Sequence, residues 1–464
     1  MHWLELFILC HFMLTVSIAL RVIYARRSSS AALAWLAVLF AFPYFGLLLY
    51  LLIGEPKLGR ARAKRQAELH AFHDAFADRF LPPQAVPLCE TRFRQIARLV
   101  QMEAGYVATG GNDTRLLADT DAILHAFTAD IDAALHCCLL EFYIIADGGR
   151  VDAVLEALIR AAGRGVRCQL LADAFGSQGF WRSAWPDKLR AAGVELTDAL
   201  PFSLWHAPWV RGDLRNHRKI LVVDYRIAYT GSYNLVDPRL FKQDAGVGEW
   251  VDAVLRCEGA VAQELAAMFY GDWAVENEHN LSATLERLNR YAGEMPDRAP
   301  VATGGALLQV IPSHPGGDTA LVYDVLVNAL NIAQESVIIS TPYFVPDETL
   351  LNTLIIAARR GVAVTLIVPR RVDSRLVRYA SRAYYRPLLD AGVCLKTFDA
   401  GLLHTKAVVI DDRFALFGTV NMDMRSFYLN LEVSLAVYTP DTIATIRTLL
   451  DGYLEQSEAV ELKK

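Results

Sequence analysis

The chain has 464 residues, 53% of them hydrophobic, and a formal net charge of -5. That length allows two or three domains. The slight acidity excludes a general polyanion binder, so phosphate contacts must be local, while the positive mean hydropathy points to membrane segments. Seven cysteines, scattered in apolar runs without metal-ligand spacing, predict reduced, buried thiols and a cytosolic main body.

Residues 3–24 are apolar apart from Glu5, His11 and Arg21, and residues 31–53 are apolar throughout, with Pro43 inside. Each stretch is about 20 residues long, the length that crosses a bilayer. Residues 1–55 are therefore expected as a two-helix transmembrane hairpin. A cleaved signal peptide fits less well, because no basic region precedes the first stretch and a second follows at once. Arg26 and Arg27 lie in the connection, whereas Lys57, Arg60, Arg62, Lys64 and Arg65 follow the second stretch. That excess of positive charge predicts both termini in the cytoplasm. A shallow or re-entrant hairpin bent at Pro43 is the alternative. Residues 56–105 read as a charged amphipathic connector, in which His70 and His73 belong to a solvated helix face rather than a metal pair.

A first domain is expected over residues 106–297. Residues 119–136 and 151–163 read as helices, and C-C-L-L-E-F-Y-I-I (137–145) and V-R-C-Q-L-L-A-D (166–173) as buried strands. Residues 298–464 repeat the plan, with strands over 336–344 and 361–369 around a helix over 350–360. G-R-G-V at 163–166 answers R-R-G-V at 359–362. The fold class is therefore α/β: two similar domains of mixed sheet flanked by helices, joined near residues 294–305.

Two stretches bear on the substrate. Trp181, Trp185, Trp205 and Trp209, with Phe180 and Phe202, crowd one segment. They read equally as aromatics dipping into a lipid interface or as a buried cluster. Arg371, Arg375, Arg378, Arg382 and Arg386 recur at helical spacing, a face suited to anionic lipid or to salt bridges.

The two halves also share a motif. N-H-R-K-I-L-V-V-D-Y-R-I-A-Y-T-G-S-Y-N (216–234) aligns with L-H-T-K-A-V-V-I-D-D-R-F-A-L-F-G-T-V-N (403–421). Both read H-x-K-x-x-x-x-D-x-x-x-x-x-x-G-[ST]-x-N. Side chains alternate along a strand, so His217 and Lys219 share a face, as do His404 and Lys406. Asp224 and Asp411 have the opposite parity and end their strands. The Gly-Ser and Gly-Thr pairs suit close approach to an anion. Two such half-sites facing each other would surround one phosphate. Lys219, Lys406, Asn234 and Asn421 would hold its oxygens, aided by Ser232 and Thr419. One imidazole would attack phosphorus, and the other would protonate the leaving alkoxide. No metal or other cofactor is expected, because the lysines neutralise the charge.

These motifs resemble the paired H-K-D motifs of the phospholipase D superfamily. The continuation N-M-D-M-R-S-F-Y-L-N-L-E (421–432) is similar to the signature of its bacterial cardiolipin synthases, and residues 26–54 resemble that family's N-terminal membrane segment. The resemblance spans nearly the whole chain. It implies an active site at the interface of two phospholipase D-like domains. It also implies phosphatidyl transfer between two phosphatidylglycerol molecules, giving cardiolipin and glycerol through a phosphatidyl-histidine. His217, Lys219, Asp224, His404, Lys406 and Asp411 would form the catalytic set, with His217 the nucleophile by superfamily habit. Glu432, and Glu249 or Asp252, would orient the imidazoles. The implied partners are phosphatidylglycerol and other anionic phospholipids, in a bacterial cytoplasmic membrane. The chain departs from the family at Ser232 and His314, where glycine is usual, and at Val251, where W-R-D becomes W-V-D. Rival readings are a hydrolase releasing phosphatidic acid, a transferase with phosphatidylethanolamine as donor, a nuclease, and a scaffold with a relict site. The acidic balance and the membrane segment speak against nucleic acid.

Overall fold

The computed structural model describes residues 2–24, 29–55, 60–81, 91–201, 211–277, 281–294, 305–315 and 320–461. They form two compact units: the described residues up to 63 with 211–214, and the remainder.

In the first unit the apolar stretches form helices His2–Tyr24, Ser29–Ala41 and Pro43–Ile53. Pro43 starts its helix, since it lacks an N–H and cannot continue the preceding one. At 1.5 Å per residue the two shorter helices reach roughly 20 and 17 Å, less than the ~30 Å hydrocarbon core. Among the described residues one helix is long and apolar enough to cross a membrane, over Glu5–Tyr24. The expectation of two full spans is corrected accordingly: the second stretch is two helices meeting at a proline. They cross closely at Gly46, where a Cβ would stand 2.6 Å from the Val38 carbonyl oxygen. Ile18, Val22, Leu39 and Tyr50 make a small core. Glu55 accepts hydrogen bonds from Arg21 (2.6 and 2.8 Å) and from the Tyr50 hydroxyl (2.8 Å).

The second unit holds the repeat. Its first half supplies β1 (Thr109–Leu117), β2 (Cys137–Phe142), β3 (Arg167–Asp173), β4 (Glu195–Ala199), β5 (Lys219–Val223), β6 (Ile227–Gly231) and β7 (Val254–Glu258). The second half supplies β8 (Ala306–Ser313), β9 (Ser336–Ser340), β10 (Ala363–Pro369), β11 (Cys394–Phe398), β12 (Lys406–Ile410), β13 (Phe414–Gly418) and β14 (Asn430–Val437), followed by β15 (Ser457–Ala459). All belong to one sheet, ordered β4-β3-β2-β5-β6-β7-β1-β8-β14-β13-β12-β9-β10-β11-β15. Outward from the antiparallel β1–β8 pair, the two halves run in the same order. β2-β3-β4 and β9-β10-β11 are parallel, and the motif strands join them antiparallel. The expected mixed sheets are present, fused into one. β5 and β12 are buried at every position, which is why their sequences are unbroken apolar runs after the lysine.

The helix Ala260–Glu276 is buried along nearly its whole length and joins residues of both halves in one core. Leu69–Phe80 buries Phe72, His73, Phe76 and Phe80. The expected connector is thus, over this helix, part of the core. His73 shares a 2.8 Å hydrogen bond with the Tyr106 hydroxyl, and His70 lies 3.3 Å from Asp74. Of the aromatic segment, Phe180 and Trp185 are buried and Trp181 packs against the same cluster, so the core reading holds for these three. Phe202, Trp205 and Trp209 lie outside the described residues.

Candidate active site

Each motif strand is entered through the other half of the repeat. Arg215–Asn216 pairs in parallel with Asn430–Leu431, and Leu402–Leu403 with Trp250–Val251. The next residue in each case is the motif histidine. Its backbone N–H continues the bridge, from His217 to the Leu431 carbonyl and from His404 to the Val251 carbonyl, both at 2.8 Å. The exchange sets each imidazole beside a carboxylate of the opposite half. His217 Nδ1 lies 2.8 Å from Glu432 Oε2, and His404 Nδ1 lies 2.7 Å from Asp252 Oδ1. An ionised carboxylate only accepts, so each Nδ1 carries the hydrogen and each Nε2 keeps its lone pair. An aromatic ring backs each imidazole: Tyr143 at 4.8 Å from His217 and Trp250 at 4.4 Å from His404, centre to centre.

Both histidines line one cavity of about 540 Å³, together with Asn234 and Asn421. Lys219 Nζ donates to the His217 carbonyl at 2.7 Å, and Lys406 Nζ to the His404 carbonyl at 2.5 Å. Asn234 accepts from the Ile144 N–H at 3.2 Å. Asn234 Nδ2 and Asn421 Oδ1 are buried with no hydrogen-bond partner among the described residues. Buried amide atoms are rarely left so, which marks them as groups awaiting a polar ligand.

Burial governs the electrostatics. It lowers both His217 and His404 to about 4, although Glu432 and Asp252 pull the other way. Burial brings Lys219 down to about 8 and also lowers Lys406. Burial alone would raise Asp252 and Glu432. Their histidine partners and nearby lysines outweigh it, and both carboxyls fall below their ordinary values. The site thus holds two neutral imidazoles, each beside a carboxylate.

Several expected roles are corrected. Asp224 accepts from the backbone N–H groups of Leu135, His136 and Cys137 at 2.7–2.9 Å. Asp411 accepts likewise from Gln334, Glu335 and Ser336, and from Arg92 at 2.7 Å. Both aspartates sit at the far ends of β5 and β12, in turns of positive φ, away from the cavity. They fasten the chain entering β2 and β9. Ser232 exchanges hydrogen bonds with the Ala253 backbone. The Thr419 hydroxyl donates to Glu432 at 2.6 Å and so belongs to the orienting carboxylate, not to a phosphate site. Gly231 and Gly418 make room for a neighbouring strand rather than an anion: a Cβ would lie 2.4 Å from the Ala253 oxygen or 2.3 Å from that of Val433. The Glu249 side chain is exposed, and only its carbonyl takes part, accepting from Leu402 N–H at 2.8 Å. Asp252 is the orienter.

The family described as "Cardiolipin synthase, PLD-like domain" matches residues 127–273 and 326–453, more than half of the chain, and that described as "Phospholipase_D-nuclease N-terminal" matches residues 13–55. Cardiolipin synthase A of Serratia proteamaculans is 39% identical over 98% of this chain and 92% of its own. Cardiolipin synthase A of Escherichia coli is 38% identical over 99% and 93%. The chain belongs to the phospholipase D-like cardiolipin synthase family. Members of this family are phosphatidyltransferases acting on phospholipids. The fold is also that of the phosphatidylserine synthase of Haemophilus influenzae, which aligns over 80% of this chain and 94% of its own with a TM-score of 0.58 at 14% identity.

Within this cardiolipin synthase fold, some groups around the cavity carry no motif signal. Arg215, Lys242, Arg425 and Tyr343 line it beside the motif residues. Tyr143 and Tyr343 follow β2 and β9 by one and three residues, and both line the cavity. Arg218, between the two catalytic-face residues, points to the opposite side. Its guanidinium is buried against Asp272 and donates to the Glu432 carbonyl at 3.1 Å and the Ser313 carbonyl at 3.2 Å.

Proposed function

We propose that the chain condenses two phosphatidylglycerol molecules into cardiolipin and glycerol by a two-step exchange at His217 and His404. The observation that carries this reading is the pair of neutral, carboxylate-oriented imidazoles on one cavity, flanked by two lysines and two unsatisfied asparagines. The phosphodiester of the first lipid lies among Lys219, Lys406, Asn234 and Asn421; rotation of the Asn421 amide presents its NH₂ group. The anion raises both imidazole pKa values by favouring their charged forms, so one can enter protonated. His217 Nε2 attacks phosphorus, the bond to glycerol breaks, and His404 gives its proton to the departing alkoxide. His404 then takes the proton of a primary hydroxyl on the second phosphatidylglycerol. That oxygen attacks phosphorus and the P–N bond breaks, returning His217. Glu432 and Asp252 hold the tautomers and stabilise the imidazolium forms.

In this reading residues 106–297 and 298–464 are the two catalytic domains. The N-terminal helices anchor them at the cytoplasmic face of a bacterial inner membrane. The test uses purified protein in detergent with phosphatidylglycerol as sole lipid. Cardiolipin matched mole for mole by glycerol is the expected result. Phosphatidic acid with little cardiolipin would make water the acceptor and replace the transferase reading. His217→Ala and His404→Ala should each abolish turnover, and a near-normal rate in either would defeat the two-histidine mechanism.

A further inference from the structure

The helix Arg375–Ala383 at the cavity mouth has three distinct faces. Ser374 caps it, accepting from the Val377 N–H at 3.3 Å. Val377 and Ala380 turn inward and line the cavity that holds both histidines. Leu376 and Tyr379, a helical turn apart, are 81% and 70% exposed, Leu376 at the rim of that same cavity and Tyr379 outside it. Next to them on the outer surface runs a basic stripe, Arg375, Arg378 and Arg382, at the i, i+3, i+7 spacing of one helix face. All three are exposed, and among the described residues none has a carboxylate partner. Exposing a leucine and a tyrosine side by side forgoes roughly the burial energy of two large apolar side chains. A solvated helix gains nothing from adjacent exposed apolar side chains, and a salt-bridging helix would supply counterions to the arginines. An outer face that is half apolar and half basic suits the boundary between phospholipid headgroups and acyl chains.

We propose that this helix is the interfacial contact of the catalytic unit. It lies in the headgroup layer of an anionic bilayer, with Leu376 and Tyr379 toward the acyl chains and the arginines on lipid phosphates. Its inner face then opens the cavity directly onto that layer. Met424, also on the cavity rim and 37% exposed, extends the apolar contact. The reading deepens the proposed function, because a lipid reaching the histidines would need only to lift its headgroup past Val377 and Ala380. The occupant is a lipid surface on grounds of charge: the stripe is purely cationic, and phosphate is the anion that the adjoining site is built to hold.

The test uses the full-length protein reconstituted in phosphatidylcholine vesicles with or without phosphatidylglycerol. A polarity-sensitive bimane is placed on Tyr379→Cys, with Cys10, Cys89 and Cys394 replaced by Ser. Its emission should shift to shorter wavelength, with quenching by spin-labelled acyl chains, and more strongly when phosphatidylglycerol is present. A probe that stays in water in both vesicles overturns the proposal. In parallel, Tyr379→Asp should lower turnover of long-chain phosphatidylglycerol in vesicles at least tenfold, while sparing short-chain phosphatidylglycerol dissolved as monomers. Arg375→Gln should raise the vesicle-dependent KM about fivefold, the weight of one basic residue at an anionic surface. No loss on either substrate, or equal loss on both at an unchanged thermal midpoint, overturns the proposal. Should the midpoint fall, the probe's depth decides. A wild type inert on both substrates would remove the functional reading, and the probe would still report on docking.

Discussion

His217 and Glu432 are 215 positions apart in the chain and 2.8 Å apart in space, one from each half of the repeat. His404 and Asp252 mirror them across 152 positions. The site is therefore a double exchange, in which each half holds the other's imidazole in its working tautomer.

Removing the charge while keeping the shape isolates that role. Glu432→Gln and Asp252→Asn should each lower turnover by about 10²–10⁴, the usual span for losing an oriented, charge-stabilised imidazole. Because an amide can bond to imidazole as donor or acceptor, the folded structure should persist. Equal circular dichroism with near-normal turnover would show that the carboxylates do not orient the histidines. Thr419→Val, which removes one bond to Glu432, should have a smaller effect in the same direction.

The motif aspartates should behave differently. Asp224→Ala frees three backbone donors at the entry to β2, and Asp411→Ala does the same at β9. A donor left unsatisfied where water is excluded costs about 1–3 kcal/mol; the Leu135 and His136 donors reach solvent and those at β9 are partly buried, so the loss should be larger for Asp411→Ala. The expected outcome is a lower thermal midpoint with little change in rate per folded molecule. A full loss of rate at an unchanged midpoint would return these residues to the chemistry.

Arg218 and Asp272 form a buried pair beneath the site. Arg218→Met alone strands a buried carboxylate, for a destabilisation of about 3–5 kcal/mol. Arg218→Met with Asp272→Leu removes both charges and should recover most of that stability. Turnover in the double variant should remain depressed, because the Glu432 carbonyl loses its donor. Denaturant midpoints and rates of the three variants separate the two effects.

Acid should destabilise the protein earlier than its carboxylates alone would require. Burial lowers His217 and His404 to about 4 and His73 to about 3, against about 6.5 in the unfolded chain. Between those limits the unfolded state binds more protons than the native one. Stability therefore rises with pH there and is lost as pH falls from about 6.5 toward 4. Thermal midpoints in detergent at pH 7, 6 and 5 should drop progressively. His73→Leu, remote from the cavity, should flatten that slope; an unchanged slope would mean that His73 titrates normally.

Much of this fold could be read from residues. The apolar runs after Lys219 and Lys406 announced buried strands, and the spaced repeat announced two half-sites. Strand parity already set Asp224 and Asp411 apart from the histidines. The remainder depends on contacts between remote segments. Nothing near Thr419 signals that Glu432 will lie within reach of its hydroxyl, so a hydroxyl after glycine read as a phosphate ligand. Glu249 and Asp252 flank the two-residue strand Trp250–Val251, too short for any periodicity to tell which carboxylate turns inward. Phe72, Phe76 and Phe80 did carry a signal, since their i, i+4 spacing marks a buried stripe, but the intervening charges suggested a solvated connector. Hydropathy over residues 31–53 is continuous, while the helix is not, because hydropathy does not register proline's missing hydrogen-bond donor.

The crossed bridges at Asn216 and Leu403 also bear on how the protein is made. Glu432 leaves the ribosome more than two hundred residues after the histidine it serves. Until then the emerging chain holds His217 with no carboxylate beside its Nδ1 and no second motif histidine on its cavity. A nascent or truncated molecule that lacks this strand therefore has only half of the site. The complete site appears only when β14 takes its place inside the sheet, between β8 and β13.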